Sequence, residues 1–323
     1  MNAMNKKIPI HISFYNDRWE RMISEGVRAL GYTPVFLHGE VQLSDIRESE
    51  ILFGMFPPEL LAQCPNLKWL QCSFAGVDSY SKPGVFANDS VLLTNASGAY
   101  GITISEHLLC VLLMLLRRMP EYQALTAQRG WKILGDIRSI YGSTVTVVGM
   151  GDIGSHFGKR LKAMGATVYG VRRTVREKPD WADRVFTVEH LEEALAEADV
   201  VALCLPGTES TRQIMRSPQF AAMKQGSYLL NVGRGTAIDQ QALFDALCSG
   251  KLAGAAIDVA DPEPLPKDHF LWDAPNLLLT PHVSGNMSLS KTCELVIDIF
   301  LRNLAHWDRA EPLEHQVDLL QGY

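Results

Sequence analysis

The stretch TVTVVGMGDIG, residues 144–154, decides the fold. Its first five residues are apolar or β-branched and predict a buried β-strand, and the residues from Asp152 to about Met164 have helical spacing. The turn between them has the pattern G-x-G-x-x-G, with glycines at positions 149, 151 and 154. A strand, a glycine-rich turn and a helix in this order are typical of the βαβ units of a parallel sheet.

Each glycine of this turn has its own physical role. The first permits a tight turn, the second lets the backbone approach a pyrophosphate, and the third lets the helix pack against the strand. The start of the helix adds free N–H groups and the positive end of the helix dipole. The motif therefore predicts a dinucleotide-binding loop, in which the cofactor-binding residues are Gly149, Gly151, Asp152, Ile153 and Gly154.

The residues that follow the next predicted strand, 167–171, bear on the choice of cofactor. NAD sites usually have an acidic residue there, whereas this sequence has Arg172, Arg173 and Thr174. Two guanidinium groups and a hydroxyl suit the 2′-phosphate of NADP, which a carboxylate would repel. We therefore expect NADP to be preferred. The alternative stays open: the arginines form a solvated surface pair and the protein uses NAD.

Strands and helices alternate on both sides of this unit. Upstream, the pattern predicts strands at residues 8–14, 34–37, 50–53, 67–72 and 91–95, with helices at 18–30 and 57–64. A long helix is predicted at about 103–119, with Pro120 just beyond its end. Downstream, strands are predicted at 145–148, 167–171, 200–205, 228–232, 255–259 and 277–279, with helices at 191–198, 240–247 and about 288–307. This alternation predicts parallel sheets covered by helices.

Length and composition exclude several classes of protein. The 323 residues suggest about two domains, and 47% apolar with 20% charged residues can bury a core. A net charge of −6 is the opposite of the basic excess typical of nucleic-acid binding. The longest apolar run, 108–116, is shorter than the roughly 20 residues of a membrane span. The six cysteines form no C-x-x-C pair, so we expect free thiols, no metal site and a cytoplasmic location.

Three later segments place polar residues where predicted strands end. They are NVGRG at 231–235, DVADPEPL at 258–265 and TPHVSG at 280–285. Because ligands of parallel sheets bind outside the carboxyl ends of the strands, these segments are expected near one another. They bring an arginine, a glutamate and a histidine to the same edge.

In order and spacing, these segments resemble the D-isomer specific 2-hydroxyacid dehydrogenases. The resemblance covers nearly the whole chain and includes the loop at Gly149, Leu205-Pro206, Leu271-Trp272 and residues 275–285. It implies an α/β protein with two doubly wound parallel-sheet domains. A Rossmann dinucleotide-binding domain, residues 101–286, would be inserted into a flavodoxin-like substrate domain, residues 1–100 and 287–323.

The resemblance also implies roles for single residues in the reduction of a 2-oxo acid to a D-2-hydroxy acid. His282 matches the general acid/base, Glu263 its carboxylate partner, and Arg234 the arginine that binds the substrate carboxylate and carbonyl. Histidine titrates nearest neutral pH, a nearby carboxylate favours imidazolium, and an arginine fork polarises the carbonyl. The substrate-binding residues would be Ala75, Gly76, Val77 and Asn95. The other cofactor-binding residues would be Thr103, Leu205, Pro206, Thr211, Val232, Gly233, Asp258 and Gly285, with Asp258 orienting the nicotinamide carboxamide.

Other functions of the same fold stay open. A formate or phosphite dehydrogenase transfers hydride too, but formate oxidation has no alcohol proton to move, so the pair Glu263 and His282 favours a hydroxyacid. Some relatives act as dinucleotide-sensing corepressors, although this chain has no basic patch. The resemblance further implies a homodimer with an arm at about 103–136. From the net charge and the short apolar run we expect no nucleic-acid or membrane partner. Whether Glu106 and His107 do more than cap the long helix is left open.

Overall fold

The chain divides into two compact units. The computed structural model describes residues 6–174 and 176–319. Unit 1 comprises Met1–Tyr100 and Asn286–Tyr323, and unit 2 comprises Gly101–Gly285. Unit 2 is thus inserted into the sequence of unit 1. Across the described residues, every helix is too short or too polar to span a membrane.

Unit 1 contains a five-stranded parallel sheet in the order β2-β1-β3-β4-β5. Its strands are β1 (Lys7–His11), β2 (Thr33–Phe36), β3 (Ile51–Gly54), β4 (Trp69–Gln71) and β5 (Leu92–Thr94). The helices between them are α1 (Asp17–Ala29), α2 (Leu43–Ile46) and α3 (Pro58–Leu61). This is the strand order of flavodoxin-like doubly wound sheets.

Unit 2 contains a seven-stranded parallel sheet in the order β12-β11-β10-β9-β6-β7-β8. Its strands are β6 (Thr144–Val148), β7 (Thr167–Arg172), β8 (Arg184–Thr187), β9 (Val200–Leu203), β10 (Ser227–Asn231), β11 (Leu252–Ile257) and β12 (Leu277–Leu279). Its helices are α4 (Gly101–Leu116), α5 (Met119–Ala127), α6 (Asp152–Ala163), α7 (Leu191–Ala196), α8 (Ser217–Ala222) and α9 (Gln240–Cys248). This is the Rossmann order with one further strand, and the strand order reverses between β6 and β9.

The last helix, α10 (Ser290–Asp308), belongs to the sheet of unit 1. The ring of Phe300 stacks on Phe53 of β3 with centroids 3.9 Å apart. The buried amide of Asn303 donates to Oε1 of Gln71 on β4 at 2.9 Å. Apolar stacking and a satisfied buried hydrogen bond together fix the helix on the sheet.

The two predicted parallel sheets are confirmed, whereas the short helices α2, α5 and α8, the end of the long helix and one edge strand differ from the prediction. The predicted helix at 103–119 ends at Leu116, because Arg118 adopts a left-handed φ of 56°. Pro120 lies in the first turn of α5, where its missing N–H is tolerated. Strand β8 was not predicted: it lies at the sheet edge and buries only Phe186 fully, so it lacks a clear apolar pattern.

Candidate active site

The glycine-rich turn joins β6 to α6, and two of its glycines are required by close backbone contacts. Gly149 has φ 101°, and a Cβ there would lie 2.4 Å from the carbonyl oxygen of Cys204. A Cβ at Gly154 would lie 2.0 Å from the carbonyl oxygen of Gly149. A larger residue at position 149 would clash with the backbone that follows β9, and one at position 154 would push α6 away from the turn after β6.

Gly151 differs, because no atom lies within 4 Å of the position that its Cβ would take. It immediately precedes α6, whose first residue is Asp152. The open space therefore lies at a helix N-terminus, where N–H groups and the helix dipole favour an anion. This cradle fits the pyrophosphate of a dinucleotide.

The two arginines at the end of β7 are arranged differently from each other. Arg172 donates from Nη2 to the backbone carbonyls of Arg176 and Glu177, the latter at 2.9 Å. Its guanidinium thus holds the loop that follows the strand. Arg173 and Thr174 are exposed on that loop.

The segments after β9 and β10 meet at the same edge of the sheet. A Cβ at Gly233 would lie 2.6 Å from the carbonyl oxygen of Leu205. The N–H of Val232 donates to Leu203 at 3.2 Å, and Thr211 Oγ1 donates to the carbonyl of Pro206 at 2.7 Å. These predicted cofactor residues therefore lie on loops that follow adjacent strands.

A histidine and a glutamate are paired at this edge. His282 Nδ1 lies 2.8 Å from Oε2 of Glu263, and the side chains are 49% and 38% exposed. The other carboxylate oxygen of Glu263 accepts the N–H of Ala260 at 2.9 Å. Because both carboxylate oxygens are engaged, the carboxylate orients the ring and leaves Nε2 available on its far side.

Asp258 follows β11 and holds the loop on which His282 lies. It is 2% exposed, and its carboxylate accepts three hydrogen bonds. The donors are Thr280 Oγ1 at 2.6 Å and the N–H groups of Val283 and Ser284 at 2.9 Å each. The N–H of His282 donates to the backbone carbonyl of Asp258 at 2.8 Å.

Arg234 lies in a loop that its neighbours hold rigidly. The Asn231 side chain accepts the N–H of Gly233 and donates to the carbonyl of Arg234, both at 3.0 Å. A Cβ at Gly235 would lie 2.0 Å from Ala260, so the loop after β10 contacts the loop after β11. The arginine, Glu263 and His282 thus come from the ends of adjacent strands, as the sequence pattern predicts.

A cavity of about 680 Å³ borders the histidine and glutamate pair. Its apolar wall includes Leu265, Trp272 and Leu279, and its polar wall includes His282 and Glu263. No group of three or more histidine, cysteine or acidic residues with metal-binding geometry occurs in residues 6–174 and 176–319.

The predicted substrate loop lies in unit 1 and is held through consecutive carbonyl groups. Ser73 accepts from the Tyr100 hydroxyl at 2.8 Å, Phe74 from the N–H of Ala96 at 3.0 Å, and Ala75 from the Asn95 amide at 2.9 Å. Gly76 is partly buried and Val77 is buried in the same loop. These contacts fix the course of the loop backbone.

The remaining predicted residues lie in the first turn of α4 and at the end of unit 2. Thr103 is partly buried in α4, and Gly285 is the last residue of unit 2. His107, also on α4, has Nε2 3.5 Å from Thr280 Oγ1, and burial lowers its pKa despite the nearby Asp258. The sequence pattern contains no signal that Thr280 links His107 to Asp258.

A Rossmann sheet with a glycine-rich phosphate loop and a histidine paired to a carboxylate at its ligand-binding edge defines a dinucleotide-dependent oxidoreductase. The family model described as "D-isomer specific 2-hydroxyacid dehydrogenase, NAD binding domain" matches residues 109–284. The chain belongs to the D-isomer specific 2-hydroxyacid dehydrogenase family, as its sequence motifs predict.

Three proteins similar to this chain agree with this. A glyoxylate/hydroxypyruvate reductase A from Citrobacter koseri is 31% identical over 83% of this chain and 85% of the relative. The crystal structure of a D-isomer specific 2-hydroxyacid dehydrogenase family protein from Aeromonas salmonicida has 33% identity and a TM-score of 0.84, covering 98% and 99% of the two chains. An NADPH-dependent glyoxylate/hydroxypyruvate reductase from Sinorhizobium meliloti, in complex with NADP and sulfate, has 26% identity and a TM-score of 0.83, covering 98% and 99%.

Proposed function

We propose that this protein reduces a 2-oxo acid to a D-2-hydroxy acid with NADPH, and that His282, Glu263 and Arg234 perform the chemistry. The observation that carries the proposal is the 2.8 Å contact between His282 Nδ1 and Glu263 Oε2. This pair follows strands of the same sheet that carries the phosphate loop. The stereochemistry rests on the family to which the chain belongs.

The pair provides a proton donor with a defined direction. When bound, the nicotinamide ring supplies the hydride that adds to C2 of the 2-oxo acid. Glu263 holds Nδ1–H of His282 and stabilises the imidazolium, so Nε2–H is the proton that passes to the C2 oxygen. Arg234 neutralises the substrate carboxylate and polarises the C2 carbonyl.

Asp258 retains the capacity to orient the nicotinamide carboxamide. A carboxylate offers about four lone-pair sites. Three are taken by Thr280, Val283 and Ser284, so one site can still accept an amide N–H. Asp258 would thus bind the cofactor and also hold the loop that carries His282.

The preference for NADP is proposed from the loop after β7. Arg172 holds the loop carbonyls, and the exposed side chains of Arg173 and Thr174 beside it are the proposed contacts of a 2′-phosphate. No acidic residue stands at positions 172–174 to repel that phosphate. The NADP bound by the Sinorhizobium relative supports the same choice.

Small 2-oxo acids are the proposed substrates, with the glyoxylate/hydroxypyruvate reductase relatives in support. We propose that Ala75, Gly76, Val77 and Asn95 bind the substrate carboxylate. Because the loop is held through its carbonyl groups, its N–H groups are the ones suited to an anion.

The proposal is tested by following the near-ultraviolet absorbance of reduced nicotinamide. Purified protein is mixed with NADPH or NADH and glyoxylate, hydroxypyruvate or a branched 2-oxo acid, and separately with NADP and formate or phosphite. We expect turnover with NADPH and a 2-oxo acid. Tight dinucleotide binding without turnover on any substrate would instead support a sensor, and turnover on formate or phosphite alone would support the other dehydrogenase class.

We also propose that two copies of the chain associate through the region around α4 and α5. Large apolar side chains are exposed there, above all Trp131 at 98% and Ile133 at 86%, together with Leu113, Met119 and Ile137. Exposed apolar side chains clustered in this way are typical of a protein interface, and a second copy through a two-fold contact is the commonest occupant. Light scattering should show a dimer, and Trp131→Ser with Ile133→Ser should give a folded monomer. A wild-type monomer at micromolar concentration would contradict the proposal.

A cytoplasmic location is proposed from the cysteines. All six are free thiols in the structure. Free thiols persist in reducing compartments. Localisation of a tagged full-length chain in its host would test this.

A further inference from the structure

A chain of polar contacts connects α4 to the loop that carries His282, entirely within unit 2. His107 Nε2 lies 3.5 Å from Thr280 Oγ1, and Thr280 Oγ1 lies 2.6 Å from Oδ1 of Asp258. The other polar side chains nearby on α4 point elsewhere: Ser105 Oγ donates to the carbonyl of Gly101, and Glu106 pairs with an arginine of α6. His107 is thus placed to reach this loop.

Hydrogen-bond chemistry determines which group donates and which accepts in each of these contacts. The buried carboxylate of Asp258 accepts only, so the single hydroxyl proton of Thr280 points to it. Thr280 Oγ1 then has only acceptor sites left for His107, which must donate through Nε2–H. Burial lowers the pKa of His107, which favours the uncharged ring with a single N–H.

The loop that carries His282 has to be held in place by its neighbours. His282 has φ 53°, a left-handed conformation that is strained for a non-glycine residue. Its own N–H bonds to the backbone carbonyl of Asp258, and the next two N–H groups bond to the carboxylate. The orientation of the Asp258 carboxylate therefore sets the position of His282.

We propose that His107 is a positioning residue, which acts through Thr280 and Asp258 to fix the loop that holds the acid/base His282. The proposal rests on the proposed function in one respect, the role of His282. His107 does not itself touch the reacting atoms. Its effect is expected on the rate of the chemical step more than on substrate binding.

Paired substitutions distinguish positioning from a merely structural role. We expect His107→Leu to lower kcat about 3- to 10-fold, the effect of one neutral hydrogen bond, with KM for the 2-oxo acid unchanged within about twofold. His107→Gln places an N–H near the position of Nε2 and should restore most of the rate. Thr280→Val should lower kcat as His107→Leu does. The double variant should be no slower than the slower single variant, because both substitutions interrupt the same series of polar contacts.

A matched control uses His190, an exposed histidine paired with Glu193 away from this loop. His190→Leu should leave kcat unchanged, and thermal unfolding of each variant separates loss of folding from loss of rate. The proposal is overturned if His107→Leu matches the wild-type kcat, if glutamine restores nothing, or if the two single effects add.

A second measurement does not depend on turnover. Histidine-selective NMR of the wild-type protein should show His107 as the Nε2–H form, and His107→Leu should shift the ring signals of His282. If the wild type reduces no 2-oxo acid, the proposed function is wrong, but the NMR experiment still tests whether His107 affects the position of His282. Unchanged His282 signals in His107→Leu would overturn the inference.

Discussion

Replacing Glu263 by glutamine removes one negative charge from the histidine pair and keeps the size of the side chain. In the wild type both carboxylate oxygens accept, one from Ala260 N–H and one facing His282 Nδ1 at 2.8 Å. Glutamine has a single oxygen. If that oxygen serves Ala260, the amide N–H₂ faces Nδ1 and the ring can no longer be protonated there without a clash of donors.

The magnitude follows from the geometry. A hydrogen bond to a charged group contributes about 1.5–3 kcal/mol. Because the two side chains are 49% and 38% exposed, solvent screening reduces this to about 1–2 kcal/mol. We therefore expect Glu263→Gln to lower kcat for reduction about 5- to 30-fold, since 1.4 kcal/mol is a factor of ten. The loss should appear in the rate of reduction, because the amide of glutamine cannot accept a hydrogen bond from Nδ1–H while its oxygen serves Ala260.

The assay is steady-state reduction of glyoxylate by NADPH over a range of pH, with NADPH affinity measured by fluorescence. The matched control is Glu193→Gln, since Glu193 pairs with Nδ1 of His190 at 2.7 Å on an exposed surface. That control should leave kcat unchanged. If Glu263→Gln retains the wild-type rate at every pH, the carboxylate does not support the proton donor and the reasoning is refuted.

The remaining predictions concern the cofactor loop, the cofactor choice and stability. Gly151→Ala should fold normally yet bind NADPH about tenfold more weakly, because its methyl group enters the open cradle. Gly154→Ala should instead lose about 1–3 kcal/mol of stability on denaturant unfolding, because its methyl group has no room. Arg173→Ala should weaken NADPH binding about tenfold with little effect on NADH in fluorescence titrations. Burial raises the pKa of Asp183, but Lys162 and a backbone N–H lower it more, so its pKa lies below the ordinary value. Asp183→Asn should therefore cost about 1 kcal/mol of stability near pH 7, and this cost should disappear as the pH falls through the lowered pKa of Asp183.

Each of these expectations has a contradicting result. Equal stability of the two glycine variants would show that the close contact at Gly154 is relaxed. Equal loss of NADPH and NADH affinity in Arg173→Ala would show that Arg173 does not contact the 2′-phosphate. A stability difference at Asp183 that persists at low pH would show that the effect does not depend on its charge.

The parts of the fold that local sequence determines were predictable. The TVTVVGMGDIG stretch contains its own strand, turn and helix, and close contacts explain the glycines at 149 and 154. The polar segments after β10, β11 and β12 were predictable as neighbours, because parallel strands end at one edge. The contact between His282 and Glu263 agrees with that reasoning, and their catalytic role stays a prediction.

Features that depend on packing across the sheet were not predictable. The link from His107 to Thr280 joins residues 173 positions apart and exists only because α4 packs beside β11 and its neighbours. Strand β8 has too few apolar residues to show a period. The different orientations of Arg172 and its neighbour depend on the path of the following loop, which two adjacent arginines in a sequence do not reveal.

The central claim is that His282 is the proton donor in NADPH-dependent reduction of a 2-oxo acid. Single-turnover reduction of glyoxylate by wild type and by His282→Ala, with NADPH affinity measured in parallel, tests it most directly. We expect a rate at least about 100-fold lower in the variant, the usual contribution of a general acid, with NADPH affinity unchanged within about twofold. A variant that turns over at the wild-type rate would contradict it.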